Sequence, residues 1–112
     1  MRVYICTPIV SKDRSLSSVR ARVDDLSRRL AERGHEAVSH LDCAVKGKWA
    51  DKVGGNIALM LECDAILLDH NRRICKVCVL EEAVSKGIVK YKPFCFFHTR
   101  EEFDIIGNRY VI

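Results

Sequence analysis

Asp64-Ala65-Ile66-Leu67-Leu68-Asp69 is an apolar tetrad set between two carboxylates, and the polar run His70-Asn71-Arg72-Arg73 follows at once. A strand with one wet face alternates polar and apolar residues. A stretch with no polar member is what a central parallel strand buried on both faces requires. The polar run then reads as a loop at the carboxyl end of that strand. Beyond it, Val77, Leu80 and Val84 lie on one helical stripe, which predicts a helix from about Ile74 to Lys86 with Gly87 as its stop.

Outward from this centre the chain alternates strands and helices. Arg2 to Cys6 is a short β-prone run ended by Thr7-Pro8, because proline has no amide to donate. From Leu16 to Arg33, Val19, Val23, Leu26 and Leu30 recur at helical spacing; Ser15, Ser17 or Ser18 can cap the start and Gly34 the end. On the opposite face Asp24 with Arg28, Asp25 with Arg29, and Arg28 with Glu32 read as a solvated surface. His35 to Leu41 is a second strand. Cys43 to Gly55 is a polar connection carrying Trp49, and a short helix follows through Ile57, Met60 and Leu61. Pro93 opens a fourth strand over Phe94 to Phe97, Thr99 caps a helical turn over Arg100 to Phe103, and Tyr110 to Ile112 forms a final edge strand. The order predicts one α/β domain: a doubly wound, mostly parallel sheet of four to five strands with flanking helices, flavodoxin- or Rossmann-like. Ligands of such sheets bind beyond the carboxyl ends of the strands, which singles out the loops Thr7 to Arg14, Cys43 to Gly55, and Asp69 to Arg73.

The 112 residues suit one core, and 48% hydrophobic with 30% charged residues is an ordinary globular balance. No apolar run nears the roughly 18 residues of a membrane span, so no membrane association is expected. Met1 to Pro8 has no signal-peptide character, and the expected address is cytoplasmic. A net charge of +4 is too slight and dispersed for duplex nucleic acid, though a small anion remains a suitable ligand. The Rossmann glycine fingerprint and the P-loop are both absent, so no cofactor is expected. Most of the six cysteines read as reduced, buried, small hydrophobes. Cys75-x-x-Cys78 and Cys95-x-x-His98 have the spacing of some structural zinc sites, but alternate residues of a strand point to opposite faces, and no metal is expected. A redox role for Cys75-x-x-Cys78 is disfavoured because such motifs open a helix directly after a strand, whereas a basic loop precedes this one.

Val3-Tyr4-Ile5-Cys6-Thr7-Pro8-Ile9 resembles the opening strand and loop of the nucleoside 2-deoxyribosyltransferase-like proteins, commonly Tyr-Ile-Ser-Gly-Pro-Ile. The long helix ending Arg33-Gly34-His35-Glu36, the pair Asn56-Ile57, and Glu62-Cys63-Asp64-Ala65-Ile66-Leu67-Leu68 are similar to that superfamily too, whose small members include some carried by phages. The resemblance implies a glutamate nucleophile on the third helix. Aligned from Cys63-Asp64 it falls on Glu81; aligned on Ala83 and Gly87 the same position is Val79, with no nucleophile. The Ser-x-Gly element of the family falls on Cys75 and Val77, and Asn56 stands where relatives commonly carry Asp. Implied partners are a nucleoside, a nucleotide or a nucleotide-derived small molecule, and a second copy of the chain in a homo-oligomer.

Cleavage of an N-glycosidic bond develops oxocarbenium character that a carboxylate can oppose or trap covalently. Glu81 would be that carboxylate, with Asp69 and His70 as candidates to protonate the departing base. Arg72, Arg73 and Lys76 bracket a helix start, where a 5′-phosphate could dock. Tyr4 and Trp49 could stack on a base, and Cys6, Pro8 and Asn56 occupy the family's substrate-binding positions. A catalytically inactive relative that binds or sequesters a nucleotide is the alternative reading.

Overall fold

The computed structural model describes residues 1–102 and 110–112. In chain order it contains β1 (Arg2–Cys6), α1 (Leu16–Ala31), β2 (Glu36–Val38), α2 (Trp49–Leu61), β3 (Ala65–Leu68), α3 (Lys76–Ile88) and β4 (Cys95–His98), with single 3-10 turns at His40–Asp42 and Arg72–Ile74. The four strands make one all-parallel sheet in the order β2-β1-β3-β4. The expected doubly wound α/β architecture is therefore the one found. Val111 adds one parallel bridge to His98 rather than a full edge strand. The turn expected over Arg100 to Phe103 begins with the Glu102 amide donating to the Thr99 carbonyl, while Phe103 lies outside the described residues.

All four residues of β3 are buried, as the unbroken apolar tetrad demands. Register pairs Tyr4 with Ile66 and Cys6 with Leu68, and the alternation of side chains sorts them between two cores. Val3, Ile5, Ala65 and Leu67 pack against the α1 stripe Val19, Val23, Leu26 and Leu30. Tyr4, Cys6, Ile66 and Leu68 pack on the other side, with Met60 of α2 and Cys78 and Ile88 of α3. Each large apolar side chain so buried contributes about 1.5 to 3 kcal/mol, and β3 collects that from both faces. Among the described residues no helix is long and apolar enough to cross a membrane.

The ends of α1 follow the sequence closely. The Ser15 hydroxyl accepts from the Ser18 amide at 3.2 Å, a cap worth about 1 kcal/mol. At the other end Gly34 adopts φ +80°, which lets its amide reach the Ala31 carbonyl and the His35 amide reach Leu30, both at 3.0 Å.

Three boundaries differ from expectation. β2 is only Glu36–Val38, because Ser39 leaves the sheet to cap the 3-10 turn, with its amide on Asp42 at 2.8 Å. α2 begins at Trp49, not near Ile57, running through Gly54-Gly55. Two adjacent glycines argue for a loop, but a Cβ on Gly55 would lie 2.7 Å from both Cys43 Sγ and Val45 Cγ2; this glycine is a close approach inside a helix. α3 runs Lys76–Ile88, two residues later than expected at each end and straight through Gly87. Its buried face is also rotated. Val77, Cys78, Glu81, Glu82, Ser85 and Ile88 point inward, whereas Leu80 is exposed and Val84 only half-buried.

Candidate functional site

Strand order reverses at β1, so the chain leaves β1 and β3 in opposite directions and a crevice opens between the two departing segments. A cleft of about 490 Å³ lies there, lined by Pro8, Ile9 and Arg14 after β1, Trp49 at the start of α2, and Ile74, Cys75 and Lys76 at the start of α3. Of the three segments singled out from sequence, Thr7 to Arg14 and Cys43 to Gly55 contribute to it, whereas Asp69 to Arg73 does not and the residues just after it, Ile74 to Val77, do. Reciprocal backbone bonds between Ser11 and Arg14, 3.0 and 3.2 Å, fold the β1 loop into a tight turn beside the cleft. Trp49 is 62% exposed, so its indole is a wall open to a ligand and not a core residue.

In the second turn of α3 sits Glu81, only 2% exposed. The Tyr4 hydroxyl donates to Glu81 Oε2 at 2.5 Å, and the Cys6 thiol both touches this carboxylate and donates to the Cys78 carbonyl at 3.6 Å. Burial pushes the Glu81 carboxyl up to about 7; the hydrogen bonds from Tyr4 and Cys6 oppose that rise and the Cys75 charge adds to it. Tyr4 is driven upward by burial and by the neighbouring carboxylate, so its phenol stays protonated and can only donate to an ionised Glu81. Val79, the alternative position of the nucleophile, is 48% exposed on the outer face. Of the two alignments, the one on Glu81 places a carboxylate inward.

Asp69 does not have the role expected of it. Its side chain is fully buried and accepts from Thr7 Oγ1 at 2.7 Å, from Arg22 at 2.8 and 3.0 Å, and from the His70 amide at 2.8 Å. Burial alone would raise its pKa, but the bonds from Arg22, Thr7 and His70 outweigh that and hold it well below the carboxylate range. A carboxylate so held has no proton to give at neutral pH; it ties the ends of β1 and β3 to α1. His70 is exposed, with Nδ1 2.9 Å from Asp69, outside the lining of the cleft.

The basic trio divides in the same way. Arg72 is 2% exposed, paired with Glu82 through Nε and with Glu102 at 2.8 Å, and it donates to the Asp69 carbonyl at 3.1 Å. It is a structural clamp. Arg73 faces the outer side of α3 with Ala83 and Lys86. Only Lys76 borders the cleft, where Arg14, which the sequence did not single out, joins it. Asn56 is buried on α2, away from the cleft lining.

The cysteines hold the largest departure. Cys75 is the N-cap residue of α3, at the very start of the helix, and it lines the cleft, while Cys78 is fully buried behind it. The 3-10 turn Arg72–Ile74 absorbs the basic loop and brings the pair to a helix N-terminus. A hydrogen bond from Cys78, aided by the amides of Ile9, Cys78 and Val77, pulls the Cys75 thiol down to about 5 against the effect of burial. Cys78 is pushed up, by its bonds to Cys6 and Cys75 and by burial. Cys6 Sγ, Cys78 Sγ and a Glu81 oxygen lie within 4.8 Å of one another. Cys95, by contrast, packs with the α1 core and Cys75 with the opposite one, so the sheet separates the two halves of the zinc-like spacing. Comparison with known proteins finds no matching family model and no matching curated protein.

Proposed function

We propose that this chain acts on the N-glycosidic bond of a nucleoside or nucleotide, with Glu81 as the nucleophile, in the manner of the nucleoside 2-deoxyribosyltransferase-like proteins that its β1 and β3 segments resemble. The observation that carries the reading is a buried carboxylate, bonded to Tyr4, on the helix whose first turn lines a cleft at the point where strand order reverses. With a pKa near 7 it is substantially ionised at neutral pH, and in a site shielded from water its charge acts strongly on a developing oxocarbenium ion. Attack at the anomeric carbon gives a glycosyl-enzyme and frees the base. Water or a second base then accepts the sugar, giving hydrolysis or transfer. Since Asp69 is held ionised and His70 lies outside the cleft lining, water in the cleft supplies the proton to the departing base. Pro8, Ile9 and Trp49 offer an apolar wall to that base, and Lys76, Arg14 and the first amides of α3 suit a 5′-phosphate. Homo-oligomeric assembly and a cytoplasmic location belong to the same reading; light scattering at high micromolar concentration checks the first.

One observation favours binding without turnover: Glu81 is 2% exposed and is not itself part of the cleft lining. Chemistry requires the Tyr4 and Cys75 side to open around the ligand. The test is release or exchange of free base from deoxynucleosides and their 5′-monophosphates, followed by chromatography. Glu81→Gln lowers the rate by several orders of magnitude with little change in ligand affinity, the pattern of a group that acts in the transition state. Glu62→Gln, exposed at the end of α2, is the control; Glu82 does not serve, because it holds Arg72. Tight nucleotide binding with no base released from any of these compounds establishes the binding protein instead.

A further inference from the structure

We propose that Cys75 and Cys78 form a dithiol–disulfide exchange site that takes a low-molecular-weight organic disulfide in the cleft beside Cys75. This goes beyond the glycosidic reading and does not depend on it.

Four groups meet at the start of α3 and the turn after β2. Cys75 is the N-cap of α3, with extended backbone (φ −115°, ψ 120°), and Cys78 follows three residues later inside the helix. The two thiols are close enough to shift each other's proton affinity, and a bridge requires their Cβ atoms to close to about 3.5 to 4.5 Å, an adjustment that the non-helical backbone of Cys75 can supply. Their surroundings are unequal. Cys75 is half-buried and lines the cleft, whereas Cys78 is fully buried and faces Cys6 and Glu81. An incoming disulfide therefore meets Cys75 alone, and Cys78 is reached only from within. Glu81, one further turn along α3, sets a carboxylate oxygen within 4.8 Å of Cys78 Sγ and can receive its proton. His40, on the turn after β2, lies within electrostatic reach of Cys75, with a buried Nε2 that has no hydrogen-bond partner among the described residues.

The chemistry follows in two steps. The Cys75 thiolate, stabilised by the helix amides and by Cys78, attacks one sulfur of the bound disulfide. The S–S bond of the substrate breaks, the first thiolate leaves and takes a proton from water, and Cys75 carries the other half as a mixed disulfide. Cys78 then passes its proton to Glu81 and attacks Cys75 Sγ. The second thiolate departs and is protonated, leaving a Cys75–Cys78 disulfide. The substrate disulfide is reduced to two thiols and the protein dithiol is oxidised, with no other co-reactant. A thiol with a pKa near 5 is about three-quarters ionised at pH 5.5, where an ordinary thiol is about 0.1% thiolate. After allowance for its weaker nucleophilicity, Cys75 should react about tenfold faster than an ordinary thiol at that pH.

Oxidised glutathione is the probe. In glutathione redox buffers the protein should lose two hydrogen atoms, and peptide mapping should place the new bond between Cys75 and Cys78. Cys78→Ser should trap glutathione on Cys75 as a stable adduct released by dithiothreitol, and Cys75→Ser should form neither product. Because Cys78 is fully buried and its substitution can perturb folding, wild-type protein supplies a second measurement: iodoacetamide at pH 5.5 should modify Cys75 about tenfold faster than Cys43 or Cys95. A Cys6–Cys78 bridge that survives Cys75→Ser, a folded Cys78→Ser protein with no adduct, or one tightly held zinc per chain that blocks alkylation of Cys75 each overturn the proposal. No nucleoside enters these assays, so their failure and failure of the base-release assay are read separately.

Discussion

Glu81→Gln should stabilise this protein, and the gain should depend on pH. The carboxyl group is pushed from its ordinary 4.5 up to about 7 in the folded chain, burial being the main cause. Each tenfold change in proton affinity is about 1.4 kcal/mol, so holding Glu81 ionised in the fold costs about 3 kcal/mol. Below pH 4.5 the group is protonated in both folded and unfolded chains and there is no cost. As pH rises from 4.5 to 7 the unfolded chain ionises first, the folded chain keeps its proton, and stability falls; above 7 the loss is complete and constant. Glutamine keeps the size of the side chain and an oxygen for the Tyr4 and Cys6 donors, but never ionises. The variant should therefore match wild type near pH 4 and exceed it by about 3 kcal/mol at pH 8, a rise of roughly 10 to 20 °C in Tm for a domain of this size.

Urea titrations of both proteins between pH 4 and 9 measure the difference directly, and groups common to both cancel. Cys75 needs separate treatment because its charge acts on Glu81. Its folded pKa lies near 5, below the ordinary thiol value, so it adds stability at high pH that is lost as pH falls through 5, opposite in sign to Glu81. Repeating the comparison in a Cys75→Ser background isolates the carboxylate. A difference that does not change with pH, or a variant less stable than wild type at pH 8, refutes the argument that Glu81 is an ionisable group buried at a cost.

Lys76→Ala should weaken binding of a nucleoside 5′-monophosphate about tenfold in calorimetry, since a charge-assisted phosphate contact is worth roughly 1.5 to 3 kcal/mol. Arg73→Ala should leave it unchanged, because Arg73 faces the outer side of α3; the reverse result would put the phosphate elsewhere. Gly55→Ala should destabilise by about 1 to 3 kcal/mol through its contact with Cys43 and Val45, whereas Gly54→Ala, with nothing within 4 Å, should stabilise by up to about 1 kcal/mol. Denaturant midpoints decide this pair, and equal effects would remove the account of why α2 runs through both glycines.

The fold was legible where one simple force acts. The tetrad Ala65 to Leu68 has no polar member because both its faces are covered, and the α1 stripe repeats because one face of that helix is. Legibility fails where polar groups are buried with partners distant in sequence. The charged side of α1 read as solvated, yet Arg29 is 7% exposed against Glu101 and Arg22 reaches Asp69, pairings 72 and 47 residues apart. Arg72 read as a free cation for the same reason; its partners Glu82 and Glu102 meet it only when α3 and the segment after β4 come together.

α3 makes the point most sharply. Hydrophobic periodicity assigns Val77, Leu80 and Val84 to its inner face, but the fold turns Cys78, Glu81, Glu82 and Ser85 inward and leaves Leu80 41% exposed. Packing alone would have chosen the apolar stripe, at about 1.5 to 3 kcal/mol per side chain. The inward polar groups are instead satisfied one by one: Ser85 donates to the Glu82 carbonyl at 2.6 Å, Glu82 binds Arg72, Glu81 accepts from Tyr4, and Cys78 contacts Cys6 and Cys75. A helix held against its own hydrophobic preference keeps a carboxylate and a pair of thiols near a cleft, and the Glu81→Gln titration measures the part of the cost that comes from ionising that carboxylate. A rule that reads burial from apolar spacing fails on this helix because the face it would turn outward carries the reactive groups.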